Sequence, residues 1–382
     1  MQHPPNHFFD HTLDSLGDWC ESKGMPRFRA TQINEWVYEK GITDPAAMSS
    51  LSKLDRERLS RDMTFLSGDV IRHQVATDGT QKLLIQWHDG AAALAPTSES
   101  GPVDGPRTIP LLPVANIGEL DSKRQTECVM IPSEDRFTAC ISSQVGCPVG
   151  CRFCASGLGG LDGSLSAGRI VEQVFRLDHL PNVRRITNVV FMGMGEPLAN
   201  LANVVKAVRT IASLDGMGIS ARKITISTVG LPKAIEKLAE QLDLPVTLAL
   251  SLHAPTDDLR RELIPWAEFT TIADLLAACR KWFERTGREI TLEYTLLHGV
   301  NDAPAHAREL AQLATTLRAN VNIIRYNEVK GLPFRRPQDE NVREFQRILR
   351  EGRINAHIRA SRGRDIAAAC GQLRHEAAGA NA

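Results

Sequence analysis

The chain has 382 residues, 42% of them hydrophobic and 24% charged, and its 45 basic and 45 acidic residues cancel. That is enough apolar material for one large domain with appendages or for two to three domains, and the zero net charge gives no whole-molecule field toward a polyanion. No apolar run approaches the ~18–20 residues of a membrane span, and the first residues lack a basic stretch followed by an apolar one, so a cytoplasmic protein without a secretory signal is expected.

Residues 1–65 carry helical periods in TLDSLGDWCESKG, RATQINEWVYEKG and LSKLDRERLSRDM, punctuated by Gly24, Gly41 and Pro45, which predicts a small helical domain. Residues 66–136 change to strand patterning. The stretch VIRHQVATDGTQKLLIQWHDG predicts a hairpin through Asp78 and Gly79. Residues 91–125 are rich in Pro, Gly and Ala and have no period, as in an extended insertion.

Over residues 137–353 the pattern alternates. Apolar, β-branched runs (FTACISSQV, ITNVVFMG, KITISTV, VTLALSL, EITLEYTLL, VNIIRYN) are separated by helical ones such as AGRIVEQVFRLDHL and TIADLLAACRKWFERTG, and DENVREFQRILREGR follows the last. Six βα units predict a parallel sheet with crossover helices, either an open doubly wound sheet or an incomplete barrel. Both place chemistry at the C-terminal ends of the strands. Residues 354–382 add a late strand, INAHIRAS, and the short segment RGRDIAAACGQLR.

Eight cysteines in a long chain without an export signal do not read as a secreted disulfide framework. Cys20 and Cys279 lie in amphipathic helical patterns and Cys128 in a strand-like one, all three as core residues. Cys140, Cys147, Cys151 and Cys154 remain, within fifteen positions, together with Cys370. The triplet is spaced C-x3-C-x2-C, with Pro148 and Gly150 favouring a curved loop. Three thiolates suit a 4Fe–4S cluster with one iron left open. The alternative is zinc with Cys140 as fourth ligand, although zinc usually draws on two separated pairs. On its own, Cys370 after three alanines reads as a core cysteine.

Polar groups recur at the strand ends. Gly193, Gly195 and Glu196 follow the second strand, where glycines admit a ligand to the backbone and a carboxylate can accept from an ammonium group. Their spacing is neither a P-loop nor a dinucleotide fingerprint. Ser227 ends the third strand, Ser251, Leu252 and His253 the fourth, and Asn327 the sixth.

These motifs, with GMGEPL, ISTVGLP, LALSLHAP, EYTLLHGVND and AACGQL, resemble the RlmN/Cfr family of radical S-adenosylmethionine (SAM) RNA methyltransferases, in register from about residue 127 to 374. The stretch FRATQINEWVY is similar to that family's accessory domain. The resemblance implies a partial (βα)6 TIM-like radical SAM barrel with a small helical N-terminal domain. It implies that Cys147, Cys151 and Cys154 hold one 4Fe–4S cluster. It implies SAM contacts from Gly195, Glu196, Ser227, Ser251, Leu252, His253 and Asn327, and two SAM molecules per turnover. It implies Cys370 as methyl carrier, Cys140 as second catalytic cysteine and Glu127 as proton acceptor.

The expected activity is methylation of carbon 2 of adenosine in 23S ribosomal RNA and in tRNA, by a monomer served by an electron donor such as flavodoxin or ferredoxin. Carbon 2 is an electrophilic amidine carbon, which calls for a radical route. The sequence departs from the family where Gly163 and Ser164 replace a polar run, where Arg364 and Ala367 replace acidic residues, and in the 91–125 insertion. These departures bear on which RNA is modified and on carbon 2 against the carbon 8 of Cfr-type members. Residues 325–374 hold twelve Arg or Lys against six Asp or Glu, and Arg335, Arg336, Arg353, Arg359 and Arg362 fit a phosphate-following patch. The competing readings are a radical SAM enzyme with a peptide or small-molecule substrate, in which Cys140 and Cys370 have no use, and a non-enzymatic RNA-binding factor with a structural metal.

Overall fold

The computed structural model describes residues 1–90 and 120–373. The expected insertion therefore falls, over 91–119, outside the described residues. The N-terminal chain forms α1 (Leu13–Ser22), α2 (Arg29–Asn34) and α3 (Lys53–Asp62). Thr12 and Ser52 cap α1 and α3 by accepting from amides three residues on. The single helix expected over 29–40 instead widens after Asn34, where Lys40 N reaches Glu35 O at 3.1 Å.

These helices dock on α4 (Ala167–Asp178) through aromatic rings, with Phe8 stacked on Phe65 and Phe9 set 5.1 Å from Phe175 of α4. Beneath the rings the buried pair His7 and Glu172 meets at 3.0 Å, and Glu172 also accepts from Ser67 N and Oγ, both at 2.8 Å, and from Arg176. Burial pushes the Glu172 carboxyl up, but Arg176, His7 and Ser67 outweigh it and hold the pKa down to about 2, against an ordinary 4.5. A carboxylate depressed in this way contributes stability above pH 4.5 that drains as pH falls toward 2. Glu172→Gln is expected to cost about 3 kcal/mol at pH 7. The gap from wild type should close below pH 4.5, read as urea midpoint against pH.

The main sheet has ten strands. In spatial order they are β1 (Gly68–Val75), β2 (Gln81–Trp87), β3 (Gln125–Ser133), β4 (Arg136–Cys140), β7 (Asn188–Phe191), β8 (Ile224–Thr228), β9 (Thr247–Ser251), β10 (Ile290–Leu296), β11 (Ala319–Arg325) and β12 (Ala356–Arg359). From β4 to β12 all pairings are parallel, as six βα units require. The crossover helices are α4, α5 (Leu201–Ala212), α6 (Pro232–Gln241), α8 (Ile272–Thr286), α9 (Pro304–Thr315) and α10 (Asp339–Glu351). This is the partial barrel expected. An additional short helix, α7 (Asp257–Leu263), precedes α8.

Two features differ from the sequence reading. The hairpin β1–β2 forms about Gly79 as expected, but it does not stand apart. It pairs antiparallel through β3 to β4, so it extends the barrel sheet itself. The run FTACISSQV breaks after Cys140. Its second half becomes β5 (Gln144–Gly146), which pairs in a separate ribbon with β6 (Leu161–Ser164), the strand that ends the stretch GLGGLDG. No helix among the described residues is long and apolar enough to cross a membrane.

Candidate active site

The ends of the parallel strands converge as the topology demands. After β7, a Cβ on Gly193 would lie 2.7 Å from Ile141 O, and one on Gly195, at φ +103°, would lie 2.7 Å from Ser143 Oγ. The chain's own β4–β5 connection therefore requires both glycines, before any ligand is considered. Glu196 is nearly fully buried. Its Oε1 accepts from Leu198 N at 3.0 Å and its Oε2 from Val229 N at 2.9 Å. Burial raises its pKa against the pull of these amides. The carboxylate ties the end of β7 to the end of β8 and retains lone pairs for one more donor.

The cysteine loop starts at Gly146, whose φ is +72°. It is pinned by Cys147 N to Gly160 O at 2.8 Å, Arg152 N to Leu263 O at 3.0 Å and Ala155 N to Gly371 O at 2.8 Å. Phe153 sets its ring edge-on to His253, 5.0 Å between centroids. Cys147, Cys151 and Cys154 are half-buried against Val149, Ile264, Leu297 and Tyr326. Burial pushes the Cys147 thiol up to about 12 and raises Cys151 and Cys154, and the proximity of the thiols raises Cys147 and Cys151 further. Such thiols become thiolates only with a cation to bind. Among the described residues no three His, Cys, Asp or Glu side chains converge as ligands of one ion. A cubane needs no such convergence, because each thiolate takes its own iron at a separate corner. The donor set fits a cluster.

Around that loop stand the remaining strand-end residues. Ser227 and Ser251 face each other, Oγ to Oγ, at 3.3 Å. Leu252 is fully buried. His253 holds φ +58°, and its Nδ1 accepts from Thr295 N at 3.0 Å. Burial, with Arg260 nearby, pushes His253 down to about 3, so the ring is neutral and carries its proton on Nε2. Sequence reasoning missed two residues that hold this corner. Arg260 of α7 donates to the carbonyls of Leu252 (3.2 Å), Val229 (2.5 Å) and Ser251 (3.4 Å). Asn301 donates to His253 O at 2.7 Å and Thr295 O at 2.8 Å. Asn327 Nδ2 reaches Cys370 O at 3.3 Å, which joins the end of the sixth parallel strand to the C-terminal segment.

The segments that carry Cys140 and Cys370, 230 positions apart by number, come together. Cys140 packs with Val129, Met194, Ala368 and Leu373. Burial pushes its thiol up to about 12, and Cys370 raises it further while Arg359 opposes. Cys370 is exposed, yet the surrounding protein still raises its pKa by desolvation, again against Arg359. Val129 pairs with Cys140 across the strands, so Glu127, two positions along β3, shares that face. Glu127 is buried, and its Oε1 lies 2.7 Å from Lys82 Nζ. Arg359 ends β12 with Nη1 3.5 Å from Met192 Sδ and 3.6 Å from buried Glu293.

Two arginines placed by sequence in a phosphate-following patch thus turn inward. Arg359 faces the cysteines, and Arg336 Nη1 donates to Tyr326 O at 3.1 Å and Asn327 Oδ1 at 3.3 Å. Arg335, Arg353 and Arg362 remain exposed. Of the residues missed, only Lys82 left a signal, as a lysine directly before the apolar run LLIQW.

A partial barrel with three loop cysteines after its first parallel strand defines a radical SAM protein, and residues 141–311 match the radical SAM superfamily. Residues 7–64 match the ribosomal RNA large subunit methyltransferase N-terminal domain. The chain belongs to the RlmN family. It is 40% identical over 370 residues to the probable dual-specificity RNA methyltransferase RlmN of Rhodopirellula baltica, covering 97% of this chain and 91% of that one. It is 40% identical to the dual-specificity RNA methyltransferase RlmN of Syntrophobacter fumaroxidans, covering 95% and 96%. The crystal structure of a radical SAM methyltransferase from Sphaerobacter thermophilus superposes with a TM-score of 0.85 at 40% identity, over 97% of this chain and all of that one. Membership brings a 4Fe–4S cluster and SAM as cofactors.

Proposed function

We propose that the protein methylates carbon 2 of adenosine in RNA, in 23S ribosomal RNA and also in tRNA, by way of a methyl group carried on Cys370. The observation that carries this reading is that Cys140, on the face that holds Glu127, packs with Ala368 and Leu373 on either side of Cys370, while the cysteine loop is tied to the adjacent Gly371. Cys147, Cys151 and Cys154 would hold the cluster. Gly195, Glu196, Ser227, Ser251, Leu252, His253 and Asn327 would contact SAM. Bound there, cluster and SAM supply the methyl group and the one-electron chemistry that an electrophilic carbon requires, with two SAM molecules per turnover and an external electron donor of the flavodoxin or ferredoxin kind.

The chain's own residues do the rest. Cys370 carries the methyl-derived carbon into a bond with the base. Glu127 accepts the ring proton. Cys140, as thiolate, attacks the Cys370 sulfur. The sulfur–carbon bond breaks, its electron pair leaves with the product carbon, which takes up a proton, and the two cysteines are left as a disulfide for a reductant to reopen. The adenine has to leave its stack to enter this mouth, so unpaired adenosines are the substrates.

The test is anaerobic turnover with a ribosomal RNA fragment, a tRNA and methyl-labelled SAM, followed by nucleoside mass analysis against 2-methyladenosine and 8-methyladenosine standards. Label in 2-methyladenosine is expected. Label in 8-methyladenosine overturns the ring position, and label in no nucleoside overturns the RNA substrate.

A further inference from the structure

Lys82 lies in β2, where all seven residues are buried. A buried ammonium is costly unless its charge is paired and its donors are used. Lys82 spends them on two distant parts of the molecule. Its Nζ lies 2.7 Å from Glu127 Oε1 on β3 and donates to Ala367 O at 3.2 Å, three residues before Cys370. In the sheet, Lys82 pairs with Val129 and Val129 with Cys140, so the lysine, Val129 and the second cysteine form one cross-strand row.

The hairpin that carries Lys82 grips the same segment at two further points. Asp78 Oδ2 accepts from Gly363 N at 3.0 Å, and Thr77 N donates to Asp365 Oδ2 at 2.9 Å. Gly363, at φ +62°, lies so close under Thr80 that an added Cβ would be 2.8 Å from its methyl carbon. Ala367 itself sits at φ +50°, a left-handed conformation that costs a non-glycine residue about 1 kcal/mol or more. A strained residue whose carbonyl is taken by a buried lysine is held there by its surroundings.

We propose that Lys82 is a positioning residue that sets the proton-accepting carboxylate and the methyl-carrier segment in one register, so that Glu127 and Cys370 address the same adenine. The β1–β2 hairpin is then a working part of the catalytic mouth. The inference rests on the roles given above to Glu127 and Cys370.

Lys82→Met keeps the side-chain length and removes the charge. In holoenzyme supplied with RNA and SAM it is expected to leave iron content and methyl occupancy of Cys370 unchanged. Product formation should fall roughly 10²-fold, within the range of a misplaced general base, and a covalent Cys370–RNA adduct should accumulate. Lys82→Arg, which retains the charge, should recover most of the rate. Product at the wild-type rate in Lys82→Met overturns the proposal, as does loss of iron and of Cys370 methylation together with product, which marks a purely structural lysine. Hydrogen exchange on the enzyme without RNA gives a second answer. Amides 363–368 should exchange faster in Lys82→Met while those of β4 do not, and unchanged exchange overturns the proposal. If Cys140→Ala traps no adduct, the roles of the two cysteines fall, and the exchange result alone decides Lys82.

Discussion

Replacing Cys147, Cys151 or Cys154 singly by Ala is expected to strip the protein of iron. Anaerobically prepared wild type should be brown and hold about four irons, as its cluster type requires. Each variant should be colourless and inactive. As proposed, the cluster would have three protein thiolates and one open iron, so no spare ligand would offset a loss. The fold should survive. The loop is pinned to Gly160, Leu263 and Gly371 by backbone hydrogen bonds that the substitutions leave in place, and it packs on a separate apolar cluster under the barrel mouth. Unchanged far-ultraviolet circular dichroism beside lost iron is therefore the expected pair of results. Stoichiometric zinc without iron in anaerobic wild type would sink the cluster assignment.

The parallel βα units and the cysteine loop were readable in sequence because both are local patterns. Six apolar runs spaced by helical periods left an open sheet or an incomplete barrel, between which the family resemblance chose, and the loop's ligands lie within eight positions. The extension of the sheet by β1, β2 and β3 was not readable. Strand pairing across a long insertion has no local signature, since a strand's two-residue period says which face is buried and not which strand lies beside it. Helix α7 is short and its apolar stripe narrow, so its arginine, which gathers three carbonyls of the cofactor corner, went unnoticed.

The polar network around Cys370 was hidden for a related reason. Charge counts along residues 325–374 cannot tell an arginine in solvent from one folded inward, and the structure divides them: Arg335 is exposed, while Arg336 and Arg359 spend their donors on the site. Cys370 itself carries no local mark beyond three alanines. The family's motif pointed to it, and the packing of its neighbours Ala368 and Leu373 with Cys140 gives a physical reason for its place.

Cys370→Ala and Cys140→Ala are expected to fail at different steps, each lowering product at least about 10³-fold. In the proposed mechanism Cys370 holds the methyl group before RNA chemistry begins, so Cys370→Ala should yield neither methylated RNA nor an adduct, with iron and SAM binding retained. On the same proposal Cys140 acts after the carbon–carbon bond has formed. In Cys140→Ala the Cys370 thioether to the base has no thiolate to open it, and the enzyme should be isolated joined to RNA. Nuclease digestion would then leave a nucleotide mass on the peptide containing Cys370. The pocket explains why no other thiol stands in. Cys128 is adjacent to Glu127 in sequence, but on alternating strand positions it faces the opposite side of β3 from Glu127 and Val129, and burial pushes its thiol far above the ordinary value. Arg359 opposes the burial of both Cys140 and Cys370 and lowers both thiols. Normal turnover by Cys140→Ala would make that cysteine structural and the disulfide release wrong. Methylated RNA from Cys370→Ala would overturn the two-cysteine mechanism for this protein.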